Sequence, residues 1–264
     1  MTDDVVVRVE GHAGFISLNR PSALNALTLP MVHAMTQALL AWRDDGAVTC
    51  VVIDHADGRG FCAGGDIRFL YDSYQNGTAN YQRYFADEYH MLKSLRQYAK
   101  PVLVFLDGYV LGGGFGLVCC ADHVVATARS VLGTPEVTLG LPPAQIAPFV
   151  WQRLGESAAR QCLLQGLSYT AAQAQQVGLV NELIDEESDA AWGKTLTRLM
   201  RAAPGAVAST KQLLRSVRGP VPDMRDAAAQ AFASGLRSAE AAQGLAAFAR
   251  RQPAPWTLSD KDKA

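Results

Sequence analysis

The 264 residues, 49% of them hydrophobic, are enough for one large or two modest domains with a buried core. Twenty-four Lys and Arg against 25 Asp and Glu leave a net charge of −1, which gives no basic field for a polynucleotide, so no nucleic-acid partner is expected. No uninterrupted apolar run is long enough to span a bilayer, which excludes a helical membrane protein.

Met1 to Glu10 is acidic and then strand-like, without the charged start and apolar block of a signal peptide, so a cytoplasmic location is expected. Alternating valines at Val5 to Val9, a turn at Gly11 to Gly14 and the run Phe15 to Leu18 predict a hairpin, ended by Asn19-Arg20-Pro21. Thr28 can cap a helix whose apolar positions Val32, Met35, Leu39 and Trp42 recur at helical spacing, with Asp44 to Gly46 as its stop. Cys50 to Ile53 is a short buried strand. A helical stretch around Tyr81 to Tyr98 then leads through Lys100-Pro101 into the apolar strand Val102 to Leu106. Short strands follow at His123 to Ala126 and Val131 to Gly133, and helices at Gln145 to Leu154 and Ser157 to Gln165. Thr170 caps one more helix, which Gly178 ends. From Glu186 to about Arg251 the pattern is helical and rich in Ala, broken near Pro204 and at Gly219 to Pro222. The predicted organisation is therefore a mixed α/β core over 1–185 and a helical part over 186–264. Cys50, Cys62, Cys119, Cys120 and Cys162 lie mostly inside apolar runs and lack CxxC spacing, which predicts reduced core thiols.

Three segments carry the chemistry. Phe61-Cys62-Ala63-Gly64-Gly65-Asp66-Ile67 follows a buried strand and leads into a helix, and its paired glycines let backbone amides approach a ligand. Leu111-Gly112-Gly113-Gly114-Phe115-Gly116-Leu117 repeats that arrangement after Val102 to Leu106. If the two strands are neighbours, the two turns form a two-donor oxyanion hole. In Gly133-Thr134-Pro135-Glu136-Val137-Thr138-Leu139-Gly140-Leu141-Pro142-Pro143 a single carboxylate stands among apolar residues and tight turns. Burial there raises its pKa and suits proton transfer to and from carbon.

With Leu18-Asn19-Arg20-Pro21 and Ala23-Leu24-Asn25-Ala26-Leu27, these segments closely resemble, in order and spacing, the crotonase or enoyl-CoA hydratase/isomerase superfamily. The resemblance runs from about residue 5 to 218. It implies an α/β fold of ββα spiral turns with a helical C-terminal trimerisation region, and self-association as a trimer or hexamer. It also implies an acyl-CoA substrate handled without a separate cofactor or metal, coenzyme A being part of the substrate. Carried over residue by residue, the amides of Gly65 and Gly113 form the oxyanion hole and Glu136 is a catalytic glutamate. Ala23, Leu24, Ala63, Asp66 and Ile67 line the CoA, and Ser22 stands where a basic residue is frequent. Lys211 or Arg215 could substitute by reaching the CoA phosphates across a subunit boundary, but a solvated helix face is the role expected of them.

The sequence departs from typical hydratases at Gly116, where they carry a second glutamate, so the usual two-carboxylate activation of water is not expected. The 3-hydroxyisobutyryl-CoA hydrolases share the wording Gly64 to Arg68 and a glycine at 116. They place an Asp where Ala144 stands here, which counts against their mechanism. The run Leu141 to Val150 resembles the isohexenylglutaconyl-CoA hydratase branch, and its Gln145 offers an amide to orient water or a second carbonyl. Tyr84, Asp87, Glu88 and Tyr89 could border the acyl pocket and supply an acid, but an exposed helix face is the role expected of them. The leading expectation is hydration of a 2-enoyl-CoA, favouring acyl chains with their own polar group, and double-bond isomerisation by Glu136 alone comes second. Thioester hydrolysis and a non-catalytic RNA-binding or scaffold role follow.

Overall fold

The computed structural model describes residues 4–56, 58–76, 80–184, 189–218 and 223–257. The hairpin is present as β1 (Val5–Glu10) and β2 (Ala13–Leu18). Helix α1 (Leu29–Arg43) starts where Thr28 accepts a hydrogen bond from the Met31 amide at 3.4 Å, and it buries Met31, Val32, Met35, Leu39 and Trp42. There follow β3 (Cys50–His55), β4 (Gly60–Cys62), α2 (Ile67–Gln75), α3 (Asn80–Gln97), β5 (Val102–Leu106), β6 (Tyr109–Leu111) and α4 (Gly113–Cys120). The next elements are β7 (His123–Thr127), β8 (Val131–Gly133), a 3-10 turn at Pro135–Leu139, α5 (Ala147–Gln165), β9 (Ser168–Thr170), α6 (Ala171–Gln176) and β10 (Glu182–Ile184). The two helices expected over 145–165 are present within α5, separated by the non-helical Gly155. Thr170 caps α6 in a reciprocal box with Gln173, as its position before the helix suggests.

Two sheets result. The larger has the order β1-β2-β3-β5-β7-β10 and is parallel except for the β1–β2 hairpin. The smaller has the order β4-β6-β8-β9, with β4, β6 and β8 parallel. Its three-residue strands are too short to show a period, so the sequence gives no sign of β4, β6 or β9. Because the central strands of the larger sheet are covered on both faces, they read as continuous apolar runs. Ile16, Val51, Ile53 and Val104 face the main core, while Phe15, Val52, Leu103 and Phe105 face a second cluster under Leu196, Leu199 and Met200.

The last three residues come from α7 (Asp189–Met200), the first of four C-terminal helices, followed by α8 (Pro204–Arg218), α9 (Arg225–Leu236) and α10 (Ala239–Ala249). Helix α9 lies on α3, where Phe232 and Phe85 meet with ring centroids 3.9 Å apart. Helix α10 lies on the Pro135–Leu139 turn. The breaks expected at Gly219 to Pro222, and the helix start expected at Glu186, lie outside the described residues. All five cysteines are free and buried. Among the described residues no helix is long and apolar enough to cross a membrane.

Candidate active site

The two glycine turns meet as the motif order requires. Strands β3 and β5 are parallel neighbours, and so are the short strands β4 and β6 that extend from them. The turns touch at Gly64, whose φ of +87° admits little but glycine, and where an added β-carbon would stand 3.1 Å from the Gly113 nitrogen. Leu27 donates to the Gly64 carbonyl at 2.7 Å and accepts from the Asp66 amide at 3.0 Å. In an extended strand this pairing turns the intervening Gly65 amide to the opposite side. Gly113 opens α4, where the first N–H groups have no partner inside the helix and the dipole favours negative charge. Both glycines line one cleft.

Glu136 enters the same cleft from the 3-10 turn. The residue is half-buried, and its Oε2 is shut off from solvent with no hydrogen-bond partner among the described residues. Burial lifts its pKa from 4.5 to about 7, only partly opposed by its own backbone amide. Gln145 also lines the cleft, and its Nε2 donates to the Ala228 carbonyl at 3.2 Å, tying the loop to α9. The walls are apolar, formed by Phe85, Leu139, Leu141 and Ile146 from the core and by Phe232, Leu236 and Leu245 from α9 and α10.

Of the residues expected along the CoA, Ala63 and Ile67 line this cleft. Ala23 and Leu24 sit beside them, the Leu24 carbonyl accepting from the Ala63 amide at 2.9 Å. Asp66 caps α2 by accepting from the Arg68 and Phe69 amides, and it pairs with Arg20 at 2.8 Å. Lys211 lies elsewhere. It is bonded to Asp122 and to the Lys100 carbonyl in a second cleft, beside Arg96, Arg153 and Arg215. Arg215 there donates to the Gln97 carbonyl at 3.0 Å.

The structure corrects the expected exposed role of the α3 acid. Asp87 is indeed outward, 2.7 Å from His33, but Glu88 is 3% exposed and lines the cleft. Its signal was present in the sequence: Tyr81, Tyr84, Phe85, Leu92 and Leu95 form the buried stripe of α3, and Glu88 falls in that stripe at helical spacing. Burial and then the charge of Glu136 push Glu88 up to about 8. Tyr84, one turn earlier, comes near enough to favour the ionised form in part, yet Tyr84 Oη and Glu88 Oε1 both lack a partner in bonding geometry. The mutual repulsion is felt by whichever carboxyl ionises second, so the elevation belongs to the pair. Gly116 has no space for an acid, because an added β-carbon would stand 2.6 Å from Ile146 Cγ2 and 3.1 Å from Leu92 Cδ1.

The two raised carboxyls set a pH dependence of stability. The unfolded chain ionises both near 4.5, while the fold holds their protons up to about 7 and about 8. Folded protein therefore binds more protons than unfolded protein through this window. Stability from this pair is flat below 4.5 and declines until pH passes about 8. Unfolding by urea from pH 5 to 9 should show the decline, and Glu88→Gln should remove part of it, on the order of a few kcal/mol at the alkaline end. A decline of equal size in both proteins would show that the Glu88 carboxyl is not held neutral.

A family model described as enoyl-CoA hydratase/isomerase matches residues 13–260. The chain belongs to this family, the crotonase superfamily of the sequence resemblance. The 3-hydroxyisobutyryl-CoA hydrolase, mitochondrial, of Danio rerio is 33% identical over 81% of this chain and 55% of its own length. The chain spans about half the length of the curated relatives it matches. Among solved structures, Pseudomonas aeruginosa AtuE is 35% identical, with 97% of this chain and 100% of that chain covered and a TM-score of 0.77. An enoyl-CoA hydratase from Mycobacterium avium is 30% identical over the same shares, with a TM-score of 0.83. The family model and the two structural likenesses extend over α9 and α10 as well as the core.

Proposed function

We propose that the chain is an enoyl-CoA hydratase, adding water across the C2–C3 double bond of an acyl-CoA. One observation carries this reading: a carboxyl lifted to about 7 shares an apolar cleft with two turn amides able to hold a thioester oxygen. Charge develops on that oxygen as water attacks C3, so the Gly65 and Gly113 donors bind the enolate more tightly than the substrate. Coenzyme A enters as part of the substrate, and each step runs through the chain's own residues. The expected preference for acyl chains with a polar group rested on there being no second carboxylate. Glu88 removes that reason, and the apolar walls suit a hydrocarbon chain.

Thioester hydrolysis is the second reading, favoured by the names of the curated relatives. It would use the same donors for a tetrahedral intermediate. The position after Pro143 is Ala144, which offers no base there.

Incubation with a panel of enoyl-CoA and 3-hydroxyacyl-CoA thioesters in oxygen-18 water separates the readings. Label in the hydroxyl of a 3-hydroxyacyl-CoA product is the expected result. Free CoA thiol with label in a carboxylic acid would replace hydration by hydrolysis, and an unlabelled shifted alkene would replace it by isomerisation.

A further inference from the structure

We propose that Glu88 is a second catalytic carboxyl, acting with Glu136 as an acid–base pair on the bound acyl group. The inference rests on the acyl-CoA reading of the cleft, not on which reaction the cleft performs. Glu136 and Glu88 reach the same space from unrelated elements, the 3-10 turn and α3. They flank the Gly112-Gly113 backbone, since a β-carbon added at Gly112 would stand 3.0 Å from Glu136 Oε1 and one at Gly113 would collide with Glu88 Oε1. Both have a buried oxygen with no protein partner, and an unmade hydrogen bond is costly for a carboxyl this far from water. A purely structural acid in that stripe would be paired, as Asp107 is with Arg129 and Thr127. Among the described residues no cation stands against Glu88: the ionisable groups that bear on it there are Glu136 from the turn, Tyr84 on its own helix and Cys62 from β4.

Two buried carboxyls this close share one proton near neutral pH. In the proposed cycle Glu136 is the ionised member and Glu88 holds the proton. As the water oxygen bonds to C3, Glu136 takes a proton from it, and the C2–C3 π pair moves to C2 and the thioester oxygen. Glu88 then gives its proton to C2, so H and OH have been added and the pair still holds one proton. Return of that proton from Glu136 to Glu88 closes the cycle without any other reagent. Relocating the acid from α4 to α3 explains how Gly116 can be filled by Ile146 while the cleft retains two carboxyls.

The test uses the full chain with Glu88→Gln and Glu88→Asp, read by hydration of crotonyl-CoA and by C2 deuterium uptake into butyryl-CoA in D2O. Glu88→Gln should lose both activities by at least about 100-fold, with CoA-thioester affinity and far-ultraviolet circular dichroism retained. Its residual rate should lack the alkaline limb of the wild-type profile, and Glu88→Asp should keep measurable activity together with that limb. Glu88→Gln turnover within about threefold of wild type and an unchanged profile would overturn the proposal. Equal loss in the Gln and Asp variants would overturn it too, by assigning Glu88 a structural role. Deuterium uptake that depends on Glu88 in a protein unable to hydrate crotonyl-CoA would sink the hydratase reading and leave Glu88 in place.

Discussion

Glu136→Gln is expected to lower turnover by about 10²- to 10⁴-fold, the range over which a positioned acid or base contributes. Glutamine keeps the size of the side chain and its hydrogen-bonding capacity, so the cleft and its affinity for the CoA thioester should be nearly unchanged. The loss should therefore fall on kcat rather than on KM. A second effect follows from the coupling of the two carboxyls. Without the Glu136 charge, Glu88 is left with burial as its main cause of elevation, and its pKa should move down from about 8. Kinetic profiles of wild type and variant on the active substrate of the panel measure both effects. A Glu136→Gln protein that turns over at the wild-type rate would exclude Glu136 from the chemistry of hydration and of isomerisation alike.

Gly113→Val should cost about 3 kcal/mol or more of transition-state stabilisation, comparable to losing one oxyanion-hole donor. The new side chain has two obstacles. An added β-carbon would collide with Glu88 Oε1 and would stand 3.5 Å from Leu27 Cδ1. The donor and the acid are therefore displaced together, and because the groups act as a unit the loss should not equal the sum of separate substitutions. Turnover on the same substrate, with the melting transition and far-ultraviolet circular dichroism as controls on folding, is the measurement. Unchanged turnover in a folded Gly113→Val protein would remove the Gly113 amide from the oxyanion hole.

What could be read from the sequence was local. The hairpin from Val5, the Thr28 and Thr170 caps and the strand Val102–Leu106 each depend on a few neighbouring residues, and the structure has them where their patterns place them. The two glycine turns were legible for the same reason: a glycine turn after a buried strand carries its geometry with it. Glu88 was harder to place, because the role of an acid on a helix depends on which face is covered, and α3 is covered by α9, whose Phe232 lies almost 150 positions away along the chain. Its place within the stripe of Tyr84, Phe85 and Leu92 was the available signal. Lys211 shows the converse limit. Its charge suggested a CoA phosphate reached across a subunit boundary, and within one chain Asp122, distant in sequence, pairs with it in another cleft.

The wall formed by Phe232, Leu236 and Leu245 also fixes when the cleft comes into being. Both carboxyls and both glycine turns lie before residue 140, so during synthesis they leave the ribosome well ahead of the helices that enclose them. Until Leu245 has emerged, the carboxyls face water instead of hydrocarbon, and the pKa elevation that depends on burial is absent. A nascent or truncated chain lacking these helices would thus carry both carboxyls and both glycine turns but not the enclosed cleft, and with it would lack the raised acidities that burial gives.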